Sequence, residues 1–286
     1  MRGIGMVARH ELRGRLLTGP WLAVMAVWFV VVNGLGVLYR LGLAVLGSTT
    51  GGVSTFGAVL VAVLVLTLAM VPALAAQATS LERGTPARAT AADLALGRFA
   101  AVWAAGTILL ALAFPCLALP VLEGAVGIGR AVVVITVAAV LVGVVSAISV
   151  MWSAVLGRAA VSALAAYLSL FVLLAGPPAA FQVAAVLVDA AASERRADLV
   201  WWLQAPQPVL VMADAAPRPD GTAVIDGTVT SVERADPLTT IGKQLRQTRV
   251  RDGDSGGGPV WPYGLAFDLA LAAGALWFAA RRVRLP

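Results

Sequence analysis

Six long apolar stretches constrain this chain more than any other feature. They read Trp21–Tyr39, Val53–Gln77, Phe99–Leu122, Ala131–Leu156, Ala159–Val188 and Trp261–Ala280. A helix needs roughly 20 apolar residues to cross a hydrocarbon core of about 30 Å, and each stretch is near or above that length. The chain is therefore expected to be an all-α integral membrane protein with six transmembrane helices. Composition agrees: 60% of the 286 residues are hydrophobic, 13% are charged, and mean hydropathy is +0.89. A soluble domain sits nearer half apolar and a quarter charged.

Within the spans, prolines predict irregularity. Pro72 and Pro115 should bend the second and third, and Gly176-Pro177-Pro178 should kink or break the overlong fifth, because proline removes a helix hydrogen bond and crowds the preceding turn.

The net charge of +6 does not indicate nucleic acid, because the arginines gather at the edges of apolar runs instead of along one basic stripe. With the N-terminus inside, the cytoplasmic segments would hold Arg2, Arg9, Arg13 and Arg15, then Arg83, Arg88 and Arg98, then Arg158, then Arg281, Arg282 and Arg284. The short outer loops would hold only Arg40 and Arg130. This asymmetry predicts both termini in the cytoplasm of a multi-pass plasma (inner) membrane protein. The first apolar run is too long for a signal-peptide core and lacks a small-residue cleavage site, so an uncleaved first span is expected.

The chain divides into residues 1–20, an amphipathic interface helix; residues 21–191, spans one to five, with a cytoplasmic loop at 78–98; residues 192–260, an extracytoplasmic segment; and residues 261–286, the sixth span and a basic tail. In the first, Ile4, Ala8, Leu12 and Leu16 recur at helical spacing among Arg9, Glu11, Arg13 and Arg15, as in a helix lying on the inner leaflet. In the loop, Ala87 to Leu96 is rich in good helix formers and suits a short helix in the membrane plane. In the outer segment, Trp201-Trp202 suits the membrane interface. Asp226-Gly227 between Ala223-Val-Ile and Thr228-Val-Thr signals a two-residue hairpin. Asp236-Pro237 should cap an amphipathic helix, and Asp252 to Pro259 is a Gly-rich linker.

Little in the chain suggests catalysis. Gly253-Asp-Ser-Gly-Gly-Gly-Pro259 has the look of a serine-protease nucleophile loop. The single histidine, His10, is expected across the membrane from Ser255, and that chemistry needs a base beside the serine. One histidine and one cysteine, Cys116, leave no metal-ligand spacing. There is no GxxxxGK[ST] phosphate loop, so the chain cannot hydrolyse ATP as a P-loop enzyme by itself. Polar residues inside spans are functional candidates by default. They are Asn33, Gln182 and Asp268, with a helix-to-helix hydrogen bond expected for Asn33 and Gln182. Asp268, about two turns into the last span, is placed either in a substrate pathway or reaching for the outer interface.

The arrangement resembles the type-2 permease family of ATP-binding cassette (ABC) transporters. The residues carrying the likeness are Glu82-Arg83-Gly84-Thr85 after the second span, similar to that family's acidic–basic–Gly-Thr loop, and Leu96-Gly97-Arg98, similar to its Leu-Gly-Lys step into the third. Trp201 to Pro217 and the ending from Val260-Trp-Pro-Tyr-Gly264 to Pro286 are similar to actinobacterial members. The chain departs from the family at Pro86-Ala87-Arg88-Ala89-Thr90, where a leucine run and a Thr-Pro pair are usual, and at Ala205-Pro206-Gln207, where Asn-Pro-Phe is common. The resemblance implies an exporter permease without enzymatic activity or cofactor of its own. A separate ABC ATPase would bind ATP and Mg and dock on Glu82, Arg83, Gly84 and Thr85. A second copy or a related permease subunit would pair with it among membrane lipids, and the first, second and fifth spans would line the pathway. The alternative is a non-catalytic scaffold or assembly factor that binds a partner through its extracytoplasmic segment. A membrane enzyme acting on lipid would need clustered acid/base or metal residues, and the scatter of Asp and Glu disfavours it.

Overall fold

The structure is a computed structural model that describes residues 2–16, 18–45, 51–77, 90–192, 197–217, 222–225, 228–231, 236–248 and 258–282. Glu82, Arg83, Gly84 and Thr85, the Asp226-Gly227 turn and most of the Gly-rich linker lie outside these residues.

Among the described residues, ten α-helices and one hairpin follow in order: α1 (Arg2–Leu16), α2 (Gly19–Val45), α3 (Gly51–Gln77), α4 (Ala91–Ala111), α5 (Phe114–Leu122), α6 (Ile128–Leu156), α7 (Ala159–Ala192), α8 (Pro208–Ala215), β1 (Thr222–Ile225), β2 (Thr228–Ser231), α9 (Pro237–Gln247) and α10 (Trp261–Arg282). Six of them, α2, α3, α4, α6, α7 and α10, are long and apolar enough to cross a membrane. The hairpin pairs Ala223 with Thr230 and Ile225 with Thr228, so the chain is helical throughout its spans with a small two-stranded element outside them.

The spans sort into two groups. In α3, α4 and α6, 56%, 56% and 67% of the apolar window is buried, against 17%, 22% and 28% in α2, α7 and α10. The first three form the core. On α3 the stripe Phe56, Leu60, Leu64 and Leu68, all at most 1% exposed, meets Val102, Ala105 and Leu109 of α4 and Val134, Ala138 and Leu141 of α6. The other three wrap this core and turn wide apolar faces outward, as helices solvated by lipid do.

Four expectations are corrected. The stretch at 90–98 is not loop or in-plane helix: α4 begins at Ala91 and runs straight into the span. Its start is fixed by a capping box, in which the Thr90 hydroxyl accepts from the Asp93 N–H while the Asp93 carboxylate accepts from the Thr90 N–H. The third span is not one helix, because the chain breaks at Leu112-Ala113 just before Pro115 and resumes as α5. Conversely, α7 passes Gly176-Pro177-Pro178 as one continuous helix of 34 residues. Lastly, Arg40 and Arg130 are not loop residues. Arg40 is inside α2 and pairs with Glu123 at 2.6 Å, while Arg130 is in the first turn of α6.

Residues 197–217 and 236–248 pack onto the bundle at the end away from α1. Two 3₁₀ turns at Ala197–Leu199 and Trp201–Leu203 lead into α8, and α9 lies across α8 and the first turns of α3. As expected, Asp236 caps α9, its carboxylate accepting from the Thr239 N–H at 2.9 Å with Pro237 as the first helical residue.

Candidate functional site

At one end of the bundle, α1 packs against α4. The sequence pattern placed Ile4, Ala8, Leu12 and Leu16 toward a lipid leaflet. The structure half-buries Ile4, Ala8 and Leu12, buries Val7 and Glu11 beside them, and packs α1 onto the first turns of α4. Gly97 permits this: a Cβ there would stand 2.6 Å from the Val7 Cβ and 3.2 Å from the Ile4 carbonyl oxygen. Arg98, next in sequence, would carry an uncompensated charge into the span. It lies 3.4 Å from the Glu11 carboxylate, with both side chains under 10% exposed. A buried charge is tolerated only with such a partner, which is why Glu11 belongs to the buried face. The helix that leaves residues 78–89 and the N-terminal helix are thereby joined into one body.

Asn33 occupies the break between α4 and α5. Unbroken helix would have the Cys116 N–H donating to the Leu112 carbonyl. In its place, the Asn33 amide donates to Leu112 O at 3.0 Å and its carbonyl accepts from the Cys116 N–H at 3.1 Å. The Leu109 carbonyl also loses its helical donor, because the Ala113 N–H turns to Leu110 O; the Trp28 indole N–H supplies a replacement at 2.9 Å. Two polar side chains of α2 thus satisfy backbone groups that Pro115 exposes, and an unsatisfied peptide group in hydrocarbon costs several kcal/mol.

Gln182 lies on the exposed face of α7. Asp268 is fully buried in the stripe Gly264, Asp268, Ala275, Ala279 that α10 presents to the bundle. Neither of its carboxylate oxygens has a hydrogen-bond partner among the described residues. No hydrogen bond among those residues links Asn33, Gln182 and Asp268, so the three belong to separate environments. No group of three or more His, Cys, Asp or Glu side chains there could hold a metal ion.

At the opposite end, two carboxylates, Asp214 and Asp236, hold α8 and α9 through ion pairs that the sequence did not announce. Asp214, at the end of α8, accepts from the backbone N–H groups of Val260 and Trp261 at 2.6 and 2.8 Å and pairs with Arg246 of α9. It therefore ties α8 and α9 to the first turn of α10. Asp236 pairs with Arg130, whose guanidinium also donates to the Pro217 carbonyl, and this ties the segment to α6. Packing is closest at Gly264, where a Cβ would stand 1.9 Å from the Ala205 carbonyl oxygen. Spacing cannot reveal these pairs, whose members are 32 and 106 residues apart.

A large apolar groove lies between α7 and α10. It encloses about 1250 Å³, with Ile148 and Met151 of α6 as its floor and Trp201, Trp202 and Pro206 over one end.

These features define a class: a polytopic helical membrane protein with a three-helix core, an N-terminal helix fastened to one end and a structured segment clamped to the other. No protein-family model and no curated protein matches the chain.

Proposed function

We propose that this chain is the permease subunit of an ABC transporter of the type-2 class, an exporter driven by a separate ATPase. The supporting observation is the fastening of α1 to α4 through Val7–Gly97 and Glu11–Arg98. In this reading residues 78–89, with Glu82 and Arg83, and helix α1 face the cytoplasm and dock the ATPase. A displacement received there enters the core directly through α4, which runs unbroken from Ala91 to Ala111. Two copies, or this subunit and a related one, form the pathway in the plasma membrane, with both termini cytoplasmic and the segment around α8 and α9 outside. ATP and Mg bind in the partner.

The test is co-purification in mild detergent with an assay of vanadate-sensitive ATP hydrolysis. A stoichiometric P-loop ATPase is expected. The Glu82→Ala, Arg83→Ala double variant should still assemble but lose stimulation of hydrolysis by substrate; unchanged stimulation would remove those residues from coupling. Failure to recover an ATPase under several extraction conditions would favour the scaffold reading. The anchoring of the outer segment by Asp214 and Asp236 supports that second reading, because it presents a fixed surface to an outside partner.

A further inference from the structure

The groove between α7 and α10 has dimensions and chemistry that specify an occupant. Its lining on α10 runs from Tyr263 to Gly274, a rise of about 16 Å at 1.5 Å per residue, and on α7 from Leu168 to Ala180, about 18 Å. One leaflet is half of a hydrocarbon core of about 30 Å, so the groove is one leaflet deep. Its mouth carries Trp201, edge-on to Tyr263 at 5.6 Å, and the exposed Trp202. Such aromatic rings sit at the headgroup level of a bilayer. Leu168, Val172 and Phe267 on its flanks are more than half exposed, so it opens sideways between the two helices and not through the bundle.

No charged side chain lines the groove among the described residues. Below the rim, where Tyr263 stands, the one hydroxyl in the lining is Ser169, and it is already engaged, accepting from the Trp152 indole N–H at 2.8 Å and donating to Ala165 O at 2.9 Å. A polar ligand finds no side chain to recognise it below the rim. A spanning helix of a second copy is also a poor fit: a helix about 10 Å wide must run the full thickness of the membrane, and the Trp201–Pro206 turn roofs the groove at one end.

We propose that the α7–α10 groove is a binding site for the hydrocarbon chain of a membrane amphiphile from the leaflet on the α8–α9 side, its polar head lying beside Trp202 and Tyr263. The site is independent of the permease reading and requires neither ATP nor a partner.

Photolabelling tests it. The full chain is placed in nanodiscs containing a phosphatidylcholine with a diazirine on one acyl chain, and the labelled peptides are mapped. Label should be enriched on 168–180 and 263–275 over the lipid-facing side of α2. Gly274→Trp should abolish that enrichment, because a Cβ at Gly274 meets open space and the ring can fill the deep end of the groove. Gly34→Trp, an equally open position on α2, should leave it intact. Leu271→Trp on the groove wall serves the same purpose if Gly274→Trp fails to fold. Label no denser on α7 and α10 than on α2, enrichment that survives both groove variants, or equal loss with Gly34→Trp would overturn the proposal. So would interchain disulfide formation by Leu271→Cys in place of labelling, which would assign the groove to a second copy.

Discussion

The two ends of the bundle are held by different means. At the α1 end, one helix is attached mainly to α4, through a glycine contact and the Glu11–Arg98 ion pair. At the far end, two carboxylates, two arginines and a backbone-tight glycine bind α8 and α9 to α6 and α10 together, with α9 also resting on α3. The first attachment is local. The second joins several spans, so loosening it should loosen the bundle as a whole.

Cutting the far clamp gives the largest expected effect. Arg130→Leu leaves Asp236, which is fully buried, without its cation, and removing one member of a buried pair typically costs about 3–5 kcal/mol. The thermal midpoint of the detergent-solubilised protein should fall steeply. The double variant Arg130→Leu, Asp236→Ser should recover part of the loss, since serine keeps the α9 cap while the orphaned charge is gone. A midpoint unchanged by Arg130→Leu would refute the assignment of this pair as an anchor.

Gly264→Ala comes next. With 1.9 Å to the Ala205 oxygen, the added methyl must push the 201–206 turn away from α10, and overpacking of this kind costs about 1–3 kcal/mol. The same turn roofs the α7–α10 groove, so photolabelling there should change as well. At the opposite end Gly97→Leu should act differently. It should expel Val7 and release α1, seen as faster proteolysis near residues 2–16, while the midpoint of the bundle moves much less. Equal losses of midpoint from Gly97→Leu and Gly264→Ala would erase the distinction between the two ends.

How much of this was legible beforehand follows from the range of each interaction. All the spans but the third, the Asp236 cap and the strands on either side of Asp226-Gly227 depend on residues within one helix or hairpin, and they stand where the sequence puts them. The effect of each proline was less legible. Pro115 breaks its helix, and α2 supplies Trp28 and Asn33 to the exposed backbone. Pro177 and Pro178 leave α7 continuous. Proline chemistry is the same in both places, and the neighbouring helix decides the outcome. The packing of α1 on α4 was not legible for a related reason. Glu11 reads as polar on its own helix, and only Arg98, 87 residues later, accounts for its burial. The groove is formed by three helices and a turn, and no single stretch of sequence announces it.

The smallest expected effect tests the role of α2, the least buried of the spans. Trp28→Phe keeps the ring and removes only the N–H that reaches Leu109 O, and intramembrane hydrogen bonds measured by double-mutant cycles average about 0.6 kcal/mol. Asn33→Leu removes both members of its bridge and should cost about twice as much on that scale. The two variants should be more than additive when combined, because either side chain left alone still holds α2 against the α4–α5 break, whereas losing both leaves two carbonyls and the Cys116 N–H without their donors or acceptor in hydrocarbon. Simple additivity would mean that water or lipid satisfies these groups, and the break would then be a site where the membrane interior is wet. That outcome would make the seam between α2 and α4 a candidate water-accessible site.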